Sequence, residues 1–178
     1  EKNMFFCTNH LFLRNFSSST MTKRIALFAS GSGSNAENII RYFSDNCDFS
    51  FPVIISNNEN AFVHERAKKM GVPSITFSRE DFIEGKKILN FLQEKRIDAI
   101  VLAGFLLKIP DLIIEAYPRK IINIHPALLP KFGGKGMYGM KVHSAVLEAG
   151  EKETGITIHY VNSNYDEGDI IFQAKCPV

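Results

Sequence analysis

The chain has 178 residues, 45% of them hydrophobic and 22% charged, with a formal net charge of +2. That composition suits a globular domain whose core needs no disulfide or metal to hold it, and the charge is too small to argue for a nucleic-acid or membrane-surface partner. The longest apolar run, Ala99 to Leu107, is far short of a bilayer span, and Cys7, Cys47 and Cys176 make no CxxC pair and no disulfide framework, which points to a reducing compartment.

Residues 1–20 read differently from the rest of the chain. Phe5, Phe6, Phe12 and Phe16 precede the run Ser17-Ser18-Ser19-Thr20, with no helix or strand period. The expectation is a leader, tag or upstream extension outside the fold, then one folded domain over 21–178. Ile25 to Ala29 is an almost wholly apolar strand of the kind buried on both faces. Ser30 to Ser34 is a turn of small residues. Asn35 to Phe43 has helical spacing, with Ala36, Ile39, Ile40 and Phe43 on one face. Phe51 to Ser56 is a second strand, ended by Asn57-Asn58. A helix over Ala61 to Met70 closes on Gly71. Ser74 to Phe77 is a third strand. Arg79 to Lys95 is predicted as one long amphipathic helix, with Phe82, Ile83, Ile88, Phe91 and Leu92 as its apolar face. Ala99 to Ala103 is a fourth strand, ended by Gly104. Pro110, at a first helical position, opens a short helix to Ala116. Lys120 to Ile124 is a fifth strand. A loop rich in Gly and Pro leads to a helix from about Lys141 to Ala149, then to two last strands, Thr157 to Val161 and Ile170 to Ala174.

Strands separated by helices imply βαβ units. The expected fold class is therefore α/β: a three-layer α/β/α sandwich around a mostly parallel, twisted sheet of about seven strands. In such sheets ligands bind at the carboxyl ends of strands, near the point where strand order reverses. Those ends are Ser30 to Asn35, Asn57-Asn58, Gly104 to Leu107 and Asn123 to Pro126.

The first of them reads Ser30-Gly31-Ser32-Gly33-Ser34-Asn35. Glycines let the backbone turn sharply, and the amides that open the next helix face an anion. The turn fits a phosphate cradle without a fixed positive charge. It also matches a dinucleotide fingerprint, Gly31-x-Gly33-x-x-Ala36, but the acid expected at the end of the second strand is missing: Ser56-Asn57-Asn58 stands there. A phosphate monoester is the better reading. A plain tight turn is the bland one.

The fifth strand ends in Asn123-Ile124-His125-Pro126. Side chains two apart on a strand share a face, so Asn123 and His125 project together. An amide donor beside an imidazole suits a carbonyl reaction, the amide for an oxyanion and the imidazole for a proton. The bland alternative is a polar pair that satisfies a strand end. Three carboxylates, Asp166, Glu167 and Asp169, stand in a loop before the last strand; composition does not choose among them. His159, inside a strand, reads as structural; His143 reads as a cap or a solvent-facing group, and His64 as a surface group on a helix. The five histidines show no metal-ligand spacing, so no metal is expected. Neither Cys47 nor Cys176 is expected to be a nucleophilic thiol. Gly133 to Gly139 reads as a mobile loop or lid.

Taken together these runs resemble a known family. Ser30 to Asn35, Leu102-Ala103-Gly104-Phe105, Ile122-Asn123-Ile124-His125-Pro126-Ala127-Leu128-Leu129-Pro130, Gly155 to Val161 and Asp166-Glu167-Gly168 resemble the phosphoribosylglycinamide formyltransferases. The resemblance covers Arg24 to Val178. The Asn-x-His-Pro-x-Leu-Leu-Pro run belongs to the wider formyltransferase fold, which is Rossmann-like. The glycine turn narrows it to the glycinamide ribonucleotide branch, with formyltetrahydrofolate deformylases as the competing reading. A phosphate-binding module without catalysis is a further alternative.

The resemblance implies transfer of a formyl group from 10-formyltetrahydrofolate, as co-substrate, to the amine of glycinamide ribonucleotide. Asn123 would stabilise the oxyanion, His125 would donate a proton, and Asp166 would orient the histidine and assist proton removal through water. Gly33, Ser34 and Asn35 would hold the substrate phosphate. Phe105, Leu106, Leu107, Lys108, Ile109 and Ile121 would line the folate pocket with the loop ahead of Asp166. It also implies a cytoplasmic enzyme, monomeric or homodimeric, with small-molecule partners and neither nucleic acid nor membrane. Two departures stand out. Leu107 occupies the place of a family arginine that grips folate, with Lys108 beside it. Family members continue past the position of Val178 with a strand segment, a helix and a phosphate-binding lysine, so the catalytic domain is expected to be truncated.

Overall fold

The computed structural model describes residues 21–178. The expected leader, residues 1–20, lies outside the described residues. Seven strands and six helices run in the order β1 (Lys23–Phe28), α1 (Ser34–Tyr42), β2 (Phe49–Ser56), α2 (Val63–Met70), β3 (Ser74–Thr76), α3 (Arg79–Glu84), α4 (Lys86–Glu94), β4 (Ala99–Leu102), α5 (Asp111–Ala116), β5 (Ile121–His125), α6 (Met140–Glu148), β6 (Glu153–Tyr160) and β7 (Ile170–Pro177). They form one sheet in the order β3-β2-β1-β4-β5-β6-β7. β1 to β5 run parallel, and β6 and β7 are antiparallel.

The layering reflects the period of a strand. Ile25, Leu27 and Ala29 enter one core with Ala36, Ile39, Val63 and Ala67 from α1 and α2. Ala26 and Phe28 enter the other with Phe82, Ile88, Leu92 and Ile113 from α3, α4 and α5. Successive side chains point to opposite faces, so a strand covered on both sides must be apolar throughout. The α/β sandwich expected from the alternating pattern is the one observed.

Three expectations need correction. The single helix over 79–95 is two helices broken at Gly85, whose φ of +73° is a conformation that side chains resist. A Cβ there would lie 2.8 Å from Pro110. Pro110 itself is extended (ψ 140°) and precedes α5 rather than opening it. The last two strands are longer than predicted. Glu153 to Tyr160 pairs with Ile170 to Pro177, and exposed Glu153 and Lys175 ion-pair across the ladder at 3.3 Å. Charged residues at these positions mask the strand ends in the sequence.

The chain builds β2 and β3 on one side of β1, then returns to build β4 on the other. The crossovers leave β1 and β4 in opposite directions, which opens a crevice at their carboxyl ends.

Candidate active site

The loops at that crevice are tied together through Ser30, which is 7% exposed. Its hydroxyl donates to Asn57 Oδ1 at 2.5 Å and accepts from the Leu106 N–H at 2.9 Å, while its own N–H donates to the Gly104 carbonyl at 3.0 Å. The turns after β1, β2 and β4 therefore share one hydroxyl. Gly33 precedes α1 with φ +73°, and a Cβ there would overlap Val63. Only glycine meets both conditions.

At the end of β5, Asn123 and His125 share a face, as the strand period requires. The antiparallel register places His159 of β6 opposite Asn123. His159 Nδ1–H donates to the Tyr160 carbonyl at 2.8 Å, so its Nε2 accepts from Asn123 Nδ2 at 3.1 Å. Asn123 Nδ2 also donates to Asp166 Oδ1 at 3.3 Å. These neighbours set the amide orientation: turned over, it would put its oxygen against a carboxylate and an imidazole lone pair. Both amide hydrogens are thus engaged, the longer bond being the one to Asp166.

His125 is 3% exposed, with Nε2–H donating to the Phe132 carbonyl at 2.8 Å and Nδ1 3.6 Å from Asp166 Oδ2. Asp166 accepts from the Gly134 N–H at 2.9 Å and lies 3.5 Å from His159 Nε2. Its φ of +56° is left-handed, a region that Asp tolerates better than most residues. The three loop carboxylates are now distinct. Glu167 bonds to Asn164, Asp169 pairs with Arg119 at 2.6 Å, and Asp166 alone of the three turns to the histidines.

Burial pushes the His125 imidazole below its ordinary value of 6.5, against the opposing pull of Asp166 and the Phe132 carbonyl. Burial pushes the Asp166 carboxyl up, but the hydrogen bond from the Gly134 amide and the charge His125 carries when protonated act against it, and the group lies below 3.8. Near neutral pH the pair is a neutral imidazole beside a carboxylate. That pair can take a proton at Nδ1 and stabilise it there.

The crevice encloses about 1060 Å³. Asn35, Asn123, His125 and Asp166 all line it, as does the whole segment Phe105 to Ile109. Gly33 and Ser34 form the turn that delivers Asn35. Gly33, Ser34 and Ile121 are not among the residues that line the crevice, and Ile121 is 1% exposed in the core of the α3–α5 side. A strand position two before Asn123 lies too deep in the sheet to reach a ligand, so the expected folate contact of its side chain is withdrawn. Lys108 lies 3.5 Å from Asp111, which shares its charge. Among the described residues no group of three or more His, Cys, Asp or Glu side chains converges as a metal site would require.

His159, expected to be structural, is buried and lies against both Asn123 and Asp166. The signal for it, alternation of Thr157 and His159 along a strand, becomes meaningful only with the β5–β6 register. The Gly134 amide on Asp166 is equally hidden in the sequence, where the glycine run reads only as a loop. Met137 and Tyr138 of that loop also line the crevice. His64 lies outside it and ties α2 to β3 through Ser74 at 2.9 Å and Thr76 at 3.0 Å.

The profile of the formyl transferase family matches residues 23–178. Over 162 residues the chain is 40% identical to a chloroplastic phosphoribosylglycinamide formyltransferase of Arabidopsis thaliana, covering 88% of this chain and 56% of that protein. A phosphoribosylglycinamide formyltransferase of Haemophilus influenzae is 36% identical over 161 residues, covering 88% and 74%. The crystal structure of phosphoribosylglycinamide formyltransferase from Anaplasma phagocytophilum superposes with a TM-score of 0.79 at 35% identity, over 88% of this chain and 73% of that one. The chain spans little more than half the length of the plant relative.

Proposed function

Because this chain belongs to the formyl transferase family, we propose that it transfers a formyl group from 10-formyltetrahydrofolate to the amine of glycinamide ribonucleotide, a step of purine (IMP) biosynthesis. The carrying observation is convergence. One crevice is lined by Asn35 of the phosphate turn, by Phe105 to Ile109, and by Asn123, His125 and Asp166. A phosphate-bearing amine and a folate could both reach the same polar cluster.

In the proposed reaction the amine nitrogen attacks the formyl carbon. A new C–N bond forms and the carbonyl oxygen becomes an oxyanion. Asn123 exchanges its long bond to Asp166 for this oxyanion and keeps the bond to His159. The proton lost by the attacking amine passes through water to the Asp166–His125 pair, where Nδ1 of the neutral imidazole takes it up beside the carboxylate. His125, protonated and stabilised by Asp166, gives a proton to the folate nitrogen as the old C–N bond breaks. The net change is one formyl group moved and one proton moved the other way. Holding two substrates in line removes much of the entropic barrier, and a donor set for the oxyanion lowers the rest. Catalytic hydrogen bonds are often long before substrates bind, so 3.6 Å between His125 and Asp166 fits a site that tightens on binding.

The apolar side chains of Phe105, Leu106 and Leu107 suit the flat ring of a folate, and Lys108, which lines the same crevice, offers a cation shared with Asp111. All groups in this scheme come from one chain, so either a monomer or a homodimer could operate it. No described helix is long and apolar enough to cross a membrane.

The test is formyl transfer by the purified protein with both substrates present. Formation of formyl-glycinamide ribonucleotide supports the reading. Formate release from the folate at the same rate with or without the amine would sink it in favour of hydrolysis.

A further inference from the structure

The phosphate turn is held from behind by α2. The Gly31 carbonyl accepts from the Val63 N–H at 3.1 Å, and the next carbonyl, that of Ser32, accepts from Arg66 Nε–H at 2.8 Å. A trans peptide is planar, so its C=O and N–H point in opposite directions. With both carbonyls held on α2, the N–H groups of Ser32 and Gly33 are turned away from it. The turn is reached from outside at Gly31, Ser32 and Ser34, which are exposed, with Gly33 buried between them. Were the Ser32 carbonyl free to rotate, its oxygen would face an incoming anion instead of the Gly33 amide.

Arg66 is well placed for this task. Its guanidinium also ion-pairs with Glu37 in the first turn of α1, and it packs over the Phe62 ring at 5.2 Å. Glu37 is held in turn by Arg41 at 2.7 Å. The Arg66 side chain is 30% exposed, so it is fixed on several sides. Two guanidinium groups against one carboxylate leave a net positive charge behind a turn that has no cation of its own. A planar fork can serve a carbonyl and a carboxylate together, whereas an ammonium on a flexible stem cannot hold the same geometry.

We propose that Arg66 is a positioning residue for phosphate recognition: by holding the Ser32 carbonyl and the Glu37 carboxylate, it aims the Gly33 amide at the phosphate of the substrate. The inference rests on the proposed reading of Gly33 to Asn35 as the phosphate site. It assigns Arg66 no contact with the reacting atoms.

Two measurements test it. Isotope-labelled protein is titrated with inorganic phosphate while the Gly33 amide signal is monitored, and steady-state kinetics are run with both substrates. Arg66→Met should weaken phosphate binding about tenfold, the size expected for losing a charge-assisted hydrogen bond. The KM for glycinamide ribonucleotide should rise by a similar factor, while kcat and the KM for the folate stay within about twofold. Arg66→Lys keeps the charge but not the fork, and should recover less than half of the loss on a logarithmic scale. Full rescue by lysine would show that charge alone suffices and would overturn the aiming role. Equal losses in kcat and both KM values would reduce Arg66 to fold support and overturn it too. If Arg66→Met does not fold, Glu37→Gln must show the same selective loss at smaller size; an unchanged phosphate affinity there overturns the inference. A wild-type protein that binds no phosphate would remove the phosphate reading, and this inference with it. Phosphate bound equally well by wild type and Arg66→Met would sink this inference alone.

Discussion

His125 is a buried imidazole with both nitrogens facing protein groups, which sets what its loss should do. It contributes little surface to a ligand, so His125→Ala should lower kcat by about a hundredfold or more while either KM changes little. Steady-state kinetics check this, and parallel loss in kcat and KM would contradict the proton-donor role. Asp166 acts on His125 through its charge. Its carboxylate raises the imidazole value against burial, so Asp166→Asn should move the His125 titration to still lower pH. A proton NMR titration of the imidazole reads this directly; an unchanged or higher midpoint would refute the coupling. Asn123 and His125 are legible as a pair because two-residue spacing on a strand means one shared face. His159 is not. Its place depends on which residue of another strand lies opposite, and a sequence carries no direct mark of register. Asp166 is legible only through family resemblance, since three carboxylates around one glycine are chemically alike until the loop is folded.

The elements around the site show how its loops are held. Thr157 in β6 is fully buried and serves three groups: it donates to the Ala127 carbonyl at 2.6 Å and accepts from the Leu129 N–H at 3.0 Å and from Gln173 Nε2 at 2.9 Å. It therefore pins the segment between His125 and the glycine loop. Thr157→Val keeps the shape but orphans these groups, and should cost about 2 kcal/mol of stability. Denaturant unfolding checks the magnitude, and a loss below about half a kcal/mol would mean that the segment finds other partners. The split of α3 from α4 at Gly85 is likewise a matter of elements, hidden by an apolar pattern that runs through both. Phe82 and Ile88 are buried on the same side of the sheet, yet Ile83 is 73% exposed. The glycine is the mark of the break, but a glycine inside a helical pattern also fits an uninterrupted helix at modest cost.

For the molecule as a whole, the buried pair predicts how stability depends on pH. The folded value of His125 lies below 6.5, so the unfolded chain binds more protons as pH falls through that value. Its contribution is fully present above about 6.5 and is lost as pH drops toward the folded value. Asp166 works in the same sense further down, with stability present above 3.8 and lost as pH falls through its folded value. Thermal melts between about pH 8 and pH 5 should show Tm falling below 6.5 in the wild type, and a flatter profile in His125→Gln. Identical profiles would remove His125 from the acid-sensitive part of the fold.

The α/β class, the strand order along the chain, the glycine turn, and Asn123 with His125 at a strand end are all readable from the amino-acid sequence. Those features arise from local periodicity and backbone freedom, which are written in neighbouring residues. Folding in three dimensions was needed to establish that β6 runs antiparallel to β5 and brings His159 onto Asn123. The same holds for Asp166 as the carboxylate turned inward, for Ile121 in the core, and for the grip of α2 on the glycine turn through Arg66. Each of these is a contact between residues far apart in the chain. Packing and register choose them, and no local pattern records the choice.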